Sequence, residues 1–294
     1  MSLKNDIIDL FKDGSLLNRL IVINLTVFVV VNLLNVISTL CGLPSGERYL
    51  MLPLSPGVLL VRPWTLLTYM FVQTQFVHLI FNLLVLYWFG KLFLLFFSQK
   101  DLVGVYIFGG LFGGLFSMTL YNLIPYYSQL LYNAESYLLG ASAAVMAIVV
   151  ATAVMSPDYR LRLVLIGEVK ISWLALAYVL LSLLQIVSSN AVGELSHLGG
   201  ALAGFLFTYC YKKGTNIVSW VGAILDWFSN LMKGNWNRTH KMKVTYNDVR
   251  NQTDYQYNAS KKAHEENVDR ILEKIKQSGY DSLSEEERKE LFKK

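Results

Sequence analysis

The chain has 294 residues, of which 54% are hydrophobic and 16% charged, with a formal net charge of +5. Because a soluble domain carries about 25% charged residues, this composition excludes an ordinary soluble protein. Most basic residues outside the C-terminal tail flank apolar runs, as membrane topology requires. The positive charge therefore indicates orientation in a membrane and does not indicate nucleic-acid binding.

Six apolar runs each approach the length of about 20 residues that a helix needs to cross the hydrocarbon core. They are residues 17–37, 77–97, 102–123, 137–155, 171–187 and 192–211. The sequence therefore predicts an all-α, polytopic membrane protein with a core of six transmembrane helices over residues 17–212.

The first connection, residues 38–75, cannot be a single helix because it contains four of the six prolines. It is also too apolar for a free linker. Tryptophan and tyrosine prefer the membrane interface, and this connection contains Trp64 and Tyr49. We expect it to lie in that interface.

Basic residues are distributed unequally between the two sides of the predicted bundle. One side has Lys4, Lys12, Arg19, Lys91, Lys100, Arg160, Arg162, Lys170, Lys212 and Lys213, and the other has Arg48 and Arg62. Lysine and arginine accumulate in cytoplasmic loops, so both termini are predicted to be cytoplasmic.

The remaining segments divide into three further regions. Residues 1–16 are predicted to be a cytoplasmic N-terminal segment. Residues 213–262 are predicted to hold an interfacial amphipathic helix, over 216–232, and a flexible linker. Residues 263–294 are predicted to form a small cytoplasmic helical hairpin, in which Ser284 and Glu287 have the spacing of a capping box.

Four polar residues are predicted to lie at one depth near the outer face. His78 and Asn82 fall in the first turns of the second predicted span, and Ser142 and His197 are about five residues into the fourth and sixth. Five residues of helix correspond to roughly 8 Å. Such polar groups are costly in lipid unless they are paired or exposed to water. Their common depth therefore indicates a shared water-accessible cavity.

Small residues would allow the fourth and sixth spans to approach closely. Gly140 and the alanines after it form one stripe, and Gly200 and Gly204 share a face with His197. Close helices would permit a hydrogen bond between Ser142 and His197. The alternative for each residue alone is structural: a serine bonded to a carbonyl one turn earlier, and a histidine used for packing or proton relay.

These residues resemble the motifs of the rhomboid intramembrane serine proteases. The matching patterns are Gly140-x-Ser142, His197-x-x-Gly200-x-x-x-Gly204 and His78-x-x-x-Asn82. The resemblance covers about residues 15–212, and the first connection also resembles the interfacial loop of that family. Each motif is weak alone, whereas their order on the predicted spans is specific.

The resemblance implies a serine–histidine dyad. Ser142 would be the nucleophile and His197 the general base and then acid, with no aspartate or glutamate evident to orient the imidazole. His78 and Asn82 would stabilise the oxyanion together with the Ser142 backbone N–H. Gly140 would permit close approach at the helix start. No metal site and no cofactor are expected.

Three residues depart from the family pattern. Ala143 follows the serine where glycine is frequent, and it still supplies a backbone N–H. Met146 stands where an aromatic side chain often packs on the imidazole, so His197 is expected to be held less firmly. Thr65 follows Trp64 in the first connection in place of a frequent arginine.

The predicted function is an intramembrane serine endopeptidase that cleaves single-span membrane proteins near the outer face of the bilayer. One alternative is a non-proteolytic rhomboid-like protein that binds membrane clients. Another is a small transporter, which would need intramembrane charges or repeated halves. The short N-terminus shows no transit peptide and the sequence no organelle signal, so we expect a bacterial inner (cell) membrane. Partners would be lipid and single-span substrates, not nucleic acid, and the oligomeric state is left open.

Overall fold

A computed structural model describes residues 15–127, 136–163, 167–188, 190–232, 254–279, 283–284 and 286–287. The chain divides into two compact units, residues 1–234 and 235–294. The described part is nearly all helical, with two short two-stranded sheets in the first unit. The described residues are therefore nearly all-α, close to the predicted class.

The first unit begins with a long helix and an irregular connection. Helix α1 is Leu16–Leu40, β1 is Leu52–Pro53, α2 is Pro56–Val61 and α3 is Thr65–Thr68, with 3-10 turns at Gly46–Tyr49 and Tyr69–Phe71. The prolines thus divide this connection into short elements, as the sequence predicts. Trp64 Nε1 donates to the Tyr49 carbonyl (2.8 Å) and Thr65 Oγ1 donates to the Arg62 carbonyl (2.6 Å), so the connection is held by its own hydrogen bonds.

The remaining elements of this unit follow in chain order. They are α4 (Phe76–Phe93), α5 (Gln99–Leu123), β2 (Tyr137–Leu138), α6 (Ser142–Met155), β3 (Arg160–Leu163), β4 (Gly167–Lys170), α7 (Ile171–Leu184), α8 (Ala191–Lys212) and α9 (Ser219–Met232). Antiparallel pairing joins β1 to β2 and β3 to β4. A helix therefore occupies most of each predicted apolar run.

Within the described ranges, three helices are long and apolar enough to cross a membrane: α1, α4 and α5. Helices α6 and α7 are apolar but shorter. These helices support a membrane protein, while the six-span topology stays a prediction.

The fourth apolar run differs from its predicted boundaries, because residues 137–155 are not one helix. Tyr137 and Leu138 pair with β1, and α6 begins only at Ser142. The physical reason is Gly140, whose φ of +117° is incompatible with a right-handed helix. The prediction that Ser142 lies five residues inside the span was therefore wrong, since it is the first residue of the helix.

Helix α6 is the most deeply buried helix of the first unit. Its residues from Ser142 to Ala153 are all buried, and it packs against α4, α5, α7 and α8. Any β-carbon at Gly200 or Gly204 of α8 would overlap a backbone carbonyl of α6, that of Ala143 or Ala147 respectively. The α6 and α8 backbones are therefore in direct contact, as small residues allow.

Helix α5 approaches the same two helices through its own glycines. A β-carbon at Gly113 would lie 2.7 Å from both the Ala143 β-carbon and the Ser196 carbonyl oxygen, and one at Gly109 would overlap the Ala147 β-carbon. The glycines of this helix therefore serve helix packing. At its start, α5 has a capping box between Ser98 and Asp101.

The second unit contains helix α10, Asp254–Ser278, which ends at Gly279 with φ +78°. This helix begins inside the predicted flexible linker, so the linker assignment was wrong for residues 254–262. Ser284 and Glu287 form the reciprocal bonds of a capping box, Ser284 N to Glu287 Oε2 (2.9 Å) and Glu287 N to Ser284 Oγ (3.2 Å). Together with the Lys274 ammonium, which contributes most, these bonds lower the pKa of Glu287 to about 2.

Candidate active site

Ser142 lies at the tip of α6, immediately after a backbone turn that only glycine adopts easily. The Gly140 N–H donates to the Tyr69 carbonyl (2.9 Å), which ties this turn to the first connection. A β-carbon at Gly140 would lie 3.1 Å from His78 Cε1 and 3.8 Å from Ser142 Oγ. The His78 ring and the Ser142 hydroxyl therefore border the same small space.

Gly140→Ala is expected to lower both stability and activity. A non-glycine residue in this backbone conformation costs about 1–3 kcal/mol, and the new methyl group would press on His78. The thermal midpoint of the purified protein would measure the first effect, and the rate of the proteolysis that the resemblance implies would measure the second. Gly46→Ala is the matched control, because its β-carbon would meet nothing within 4 Å. Equal behaviour of the two variants would contradict this role of Gly140.

His197 lies about two turns into α8 and is held at its Nδ1 atom. Glu194 Oε2 and Ser182 Oγ are each 3.1 Å from His197 Nδ1. The expectation that no acidic side chain orients the imidazole was therefore wrong. Both contacts use Nδ1, which leaves Nε2 as the nitrogen able to accept a proton from a hydroxyl.

An aromatic ring contacts the imidazole, and it comes from a different helix than Met146. Tyr178 of α7 packs edge-on against His197, with ring centroids 5.8 Å apart and an interplanar angle of 60°. Met146 is fully buried and packs in a cluster that includes Tyr178. The departure at Met146 is thus accompanied by a tyrosine on a neighbouring helix, and His197 has contacts on more than one side.

Ser142 and His197 lie on helices in backbone contact, and both are buried, with 6% and 9% of their surface exposed. No hydrogen bond joins the two side chains within the described part of the chain. The contact between Ala143 and Gly200 lies one residue beyond the serine and one turn beyond the histidine. The two side chains therefore flank one helix–helix contact.

The two predicted oxyanion residues share a face of α4, and one of them is already engaged. Asn82 Nδ2 donates to the His78 carbonyl (3.0 Å) and to Gln73 Oε1 (3.1 Å), so both amide hydrogens have acceptors. Gln73 is fully buried, and its Nε2 has no hydrogen-bond partner among the described residues. Asn82 would have to release Gln73 before it could donate to an oxyanion. His78 lies within electrostatic reach of His197.

Four residues around the site were not predicted from the sequence: Glu194, Ser182, Tyr178 and Gln73. Glu194 had a local signal, because it lies three residues before His197 and therefore on the same helix face. The other three reach the site from separate elements, so only the tertiary structure brings them there. No group of three or more metal-binding side chains occurs within the described ranges.

Comparison with known proteins gives two family matches. The Rhomboid domain matches residues 61–214, slightly more than half of the chain, and includes every predicted site residue. A family of unknown function, DUF6576, matches residues 251–293 in the C-terminal unit. No curated protein matches the chain.

Proposed function

The chain belongs to the rhomboid family, and from this premise we propose that it is an intramembrane serine endopeptidase with a Ser142–His197 dyad. The observation that carries the proposal is the placement of these two residues. Ser142 begins a buried helix next to the Gly140 turn, and His197 lies on the contacting helix with Nδ1 engaged. A serine with a purely structural role would need neither the Gly140 turn nor His197 on the contacting helix.

The proposed chemistry is acyl transfer. Ser142 Oγ attacks the carbonyl carbon of the scissile peptide bond as His197 Nε2 takes the hydroxyl proton. The same proton then passes from Nε2 to the leaving amine nitrogen as the peptide C–N bond breaks. Water, deprotonated by His197, then attacks the acyl carbon. The ester bond to Ser142 Oγ breaks, and His197 returns the proton to that oxygen. The Ser142 backbone N–H, His78 and Asn82 would donate to the oxyanion.

The proposed membrane arrangement follows from the charges and the helix order. Six helices, α1 and α4 to α8, would span the bilayer, with both termini in the cytoplasm of a bacterial cell. Helices α4, α6 and α8 would then begin at the outer face, where water can reach the acyl-enzyme. Helix α9 would lie at the inner surface, where Lys100 pairs with Asp226 (2.7 Å).

The proposed substrates are single-span membrane proteins whose helices unwind easily near the outer face. A protease must bind its substrate as an extended strand, so the helix has to open at the cut. Glycine lowers helix stability by about 1 kcal/mol relative to alanine. Substrates with glycine near the cleavage point are therefore expected to be cut faster than uniformly leucine-rich ones.

A pair of reporters tests this function. The purified protein is reconstituted into liposomes with a fluorescent single-span reporter that carries two glycines near the outer end of its helix, or with a leucine-only version. Cleavage of the glycine reporter at least about 10-fold faster is expected, since two glycines weaken the helix by about 2 kcal/mol. Retention of both reporters with no cleavage of either would overturn the proposal and favour the client-binding alternative.

A further inference from the structure

A buried carboxylate lies against the nitrogen of His197 that the dyad does not use. Glu194 Oε2 is 3.1 Å from His197 Nδ1, and the two residues are three apart on α8. Their side chains are only 10% and 11% exposed. An ionised carboxylate in such a place is costly unless it has partners. The Glu194 partners are His197 and the Asn190 side-chain amide, whose Nδ2 is 3.5 Å from Glu194 Oε1.

A second helix contributes a hydroxyl to the same point. Ser182 of α7 is 1% exposed, and its Oγ is 3.1 Å from His197 Nδ1. Two oxygen atoms from two helices therefore converge on one ring nitrogen. Such convergence restrains the orientation of the ring.

A neutral imidazole has one N–H, and the acceptors around it decide which nitrogen holds that proton. A carboxylate at Nδ1 favours the proton there and leaves the lone pair on Nε2. Three titratable side chains of the described residues face this ring: His78, Tyr178 and Glu194. Glu194 is the carboxylic acid among them. The carboxylate would also stabilise the imidazolium that forms when Ser142 loses its proton.

We propose that Glu194 is a positioning residue that makes the dyad a Glu194–His197–Ser142 triad, with Ser182 as an additional support. The Nδ1 proton stays on the imidazole throughout, and the transferred proton moves only through Nε2. This inference rests on the proposed protease function. A purely structural alternative exists, because an acidic residue in the first turn of a helix stabilises that helix by its charge.

Kinetics of the reconstituted full-length protein separate the two roles. Glu194→Gln keeps the shape and removes the charge, and it is expected to lower kcat by about 10²-fold or more with little change in KM. Glu194→Asp is expected to recover part of that loss. The matched control is Glu168→Gln, which removes an exposed carboxylate on β4 and should leave kcat unchanged. A structural role alone would lower the thermal midpoint and leave the kcat of the folded fraction intact.

The tautomer of His197 gives a readout that needs neither activity nor a variant of Glu194. The chain contains four histidines, so ¹⁵N spectra of the full-length protein in micelles can be assigned with a His197→Gln sample. With the ring neutral, the proposal predicts a protonated Nδ1 and an unprotonated Nε2.

Each negative result has a separate meaning. A proton on Nε2 of the wild-type ring would overturn the role of Glu194 even if Glu194→Gln failed to fold. An active wild type with an equally active, folded Glu194→Gln would overturn it too. A folded wild type that cleaves neither reporter would instead overturn the protease function itself.

Discussion

Ser142→Ala is expected to lower kcat for reporter cleavage by roughly 10⁴-fold or more, because removal of the nucleophile ends covalent catalysis. His197→Ala should lose a similar factor, and the double variant should lose little more, since the two residues act as a unit. Rates measured in liposomes over hours would resolve the residual activity. Strictly additive losses would mean that the two residues do not share one step.

The matched control for this experiment is Ser117→Ala. Ser117 is also a fully buried helical serine, and its hydroxyl donates to the Val192 carbonyl (2.8 Å), away from the imidazole. Its loss should cost about 1 kcal/mol of stability and leave kcat nearly unchanged. If Ser117→Ala reduced kcat as strongly as Ser142→Ala, the effect would reflect general damage to the helix bundle and not the loss of a nucleophile.

Gly200→Val is expected to destabilise the protein by about 3 kcal/mol or more, at the upper end of the range for overpacked interiors. A β-carbon at Gly200 would overlap the Ala143 carbonyl, and a backbone group cannot move aside as a flexible side chain can. Helices α6 and α8 would separate, and His197 would move with α8 away from Ser142. Unfolding in denaturing detergent would measure the stability, and reporter cleavage the activity.

Gly222→Ala provides the comparison for this glycine. Gly222 is also helical, in α9, and its β-carbon would lie at an ordinary distance of 3.5 Å from the Lys100 side chain. Alanine there should be neutral or stabilise the helix by about 0.5–1 kcal/mol. Equal loss of stability in Gly200→Val and Gly222→Ala would contradict the importance of close approach between α6 and α8.

Helix positions and helix faces could be predicted because both depend on local sequence. The spacing of His197, Gly200 and Gly204 places them on one face whatever surrounds α8, and the structure has both glycines against α6. The start of α6 could not be predicted in the same way. It depends on the Gly140 turn, and that turn is tied to the Tyr69 carbonyl of a distant segment.

The surroundings of the imidazole could also be predicted only in part from the local sequence. Glu194 could have been found from its spacing to His197 on one helix. Ser182 and Tyr178 belong to α7, and nothing in their local sequence indicates which helix they face. Similarly, the bond between Gln73 and Asn82 joins the first connection to α4. These contacts depend on how the helices pack, which local periodicity does not specify.

The central claim is that Ser142 is a nucleophile activated by His197, and a covalent probe tests it most directly. The full-length protein in detergent is treated with a fluorophosphonate, digested and analysed by mass spectrometry. We predict a phosphonyl adduct on Ser142 in the wild type and no adduct in His197→Ala. An adduct on another residue, or none at all in a preparation that cleaves the reporter, would contradict the claim.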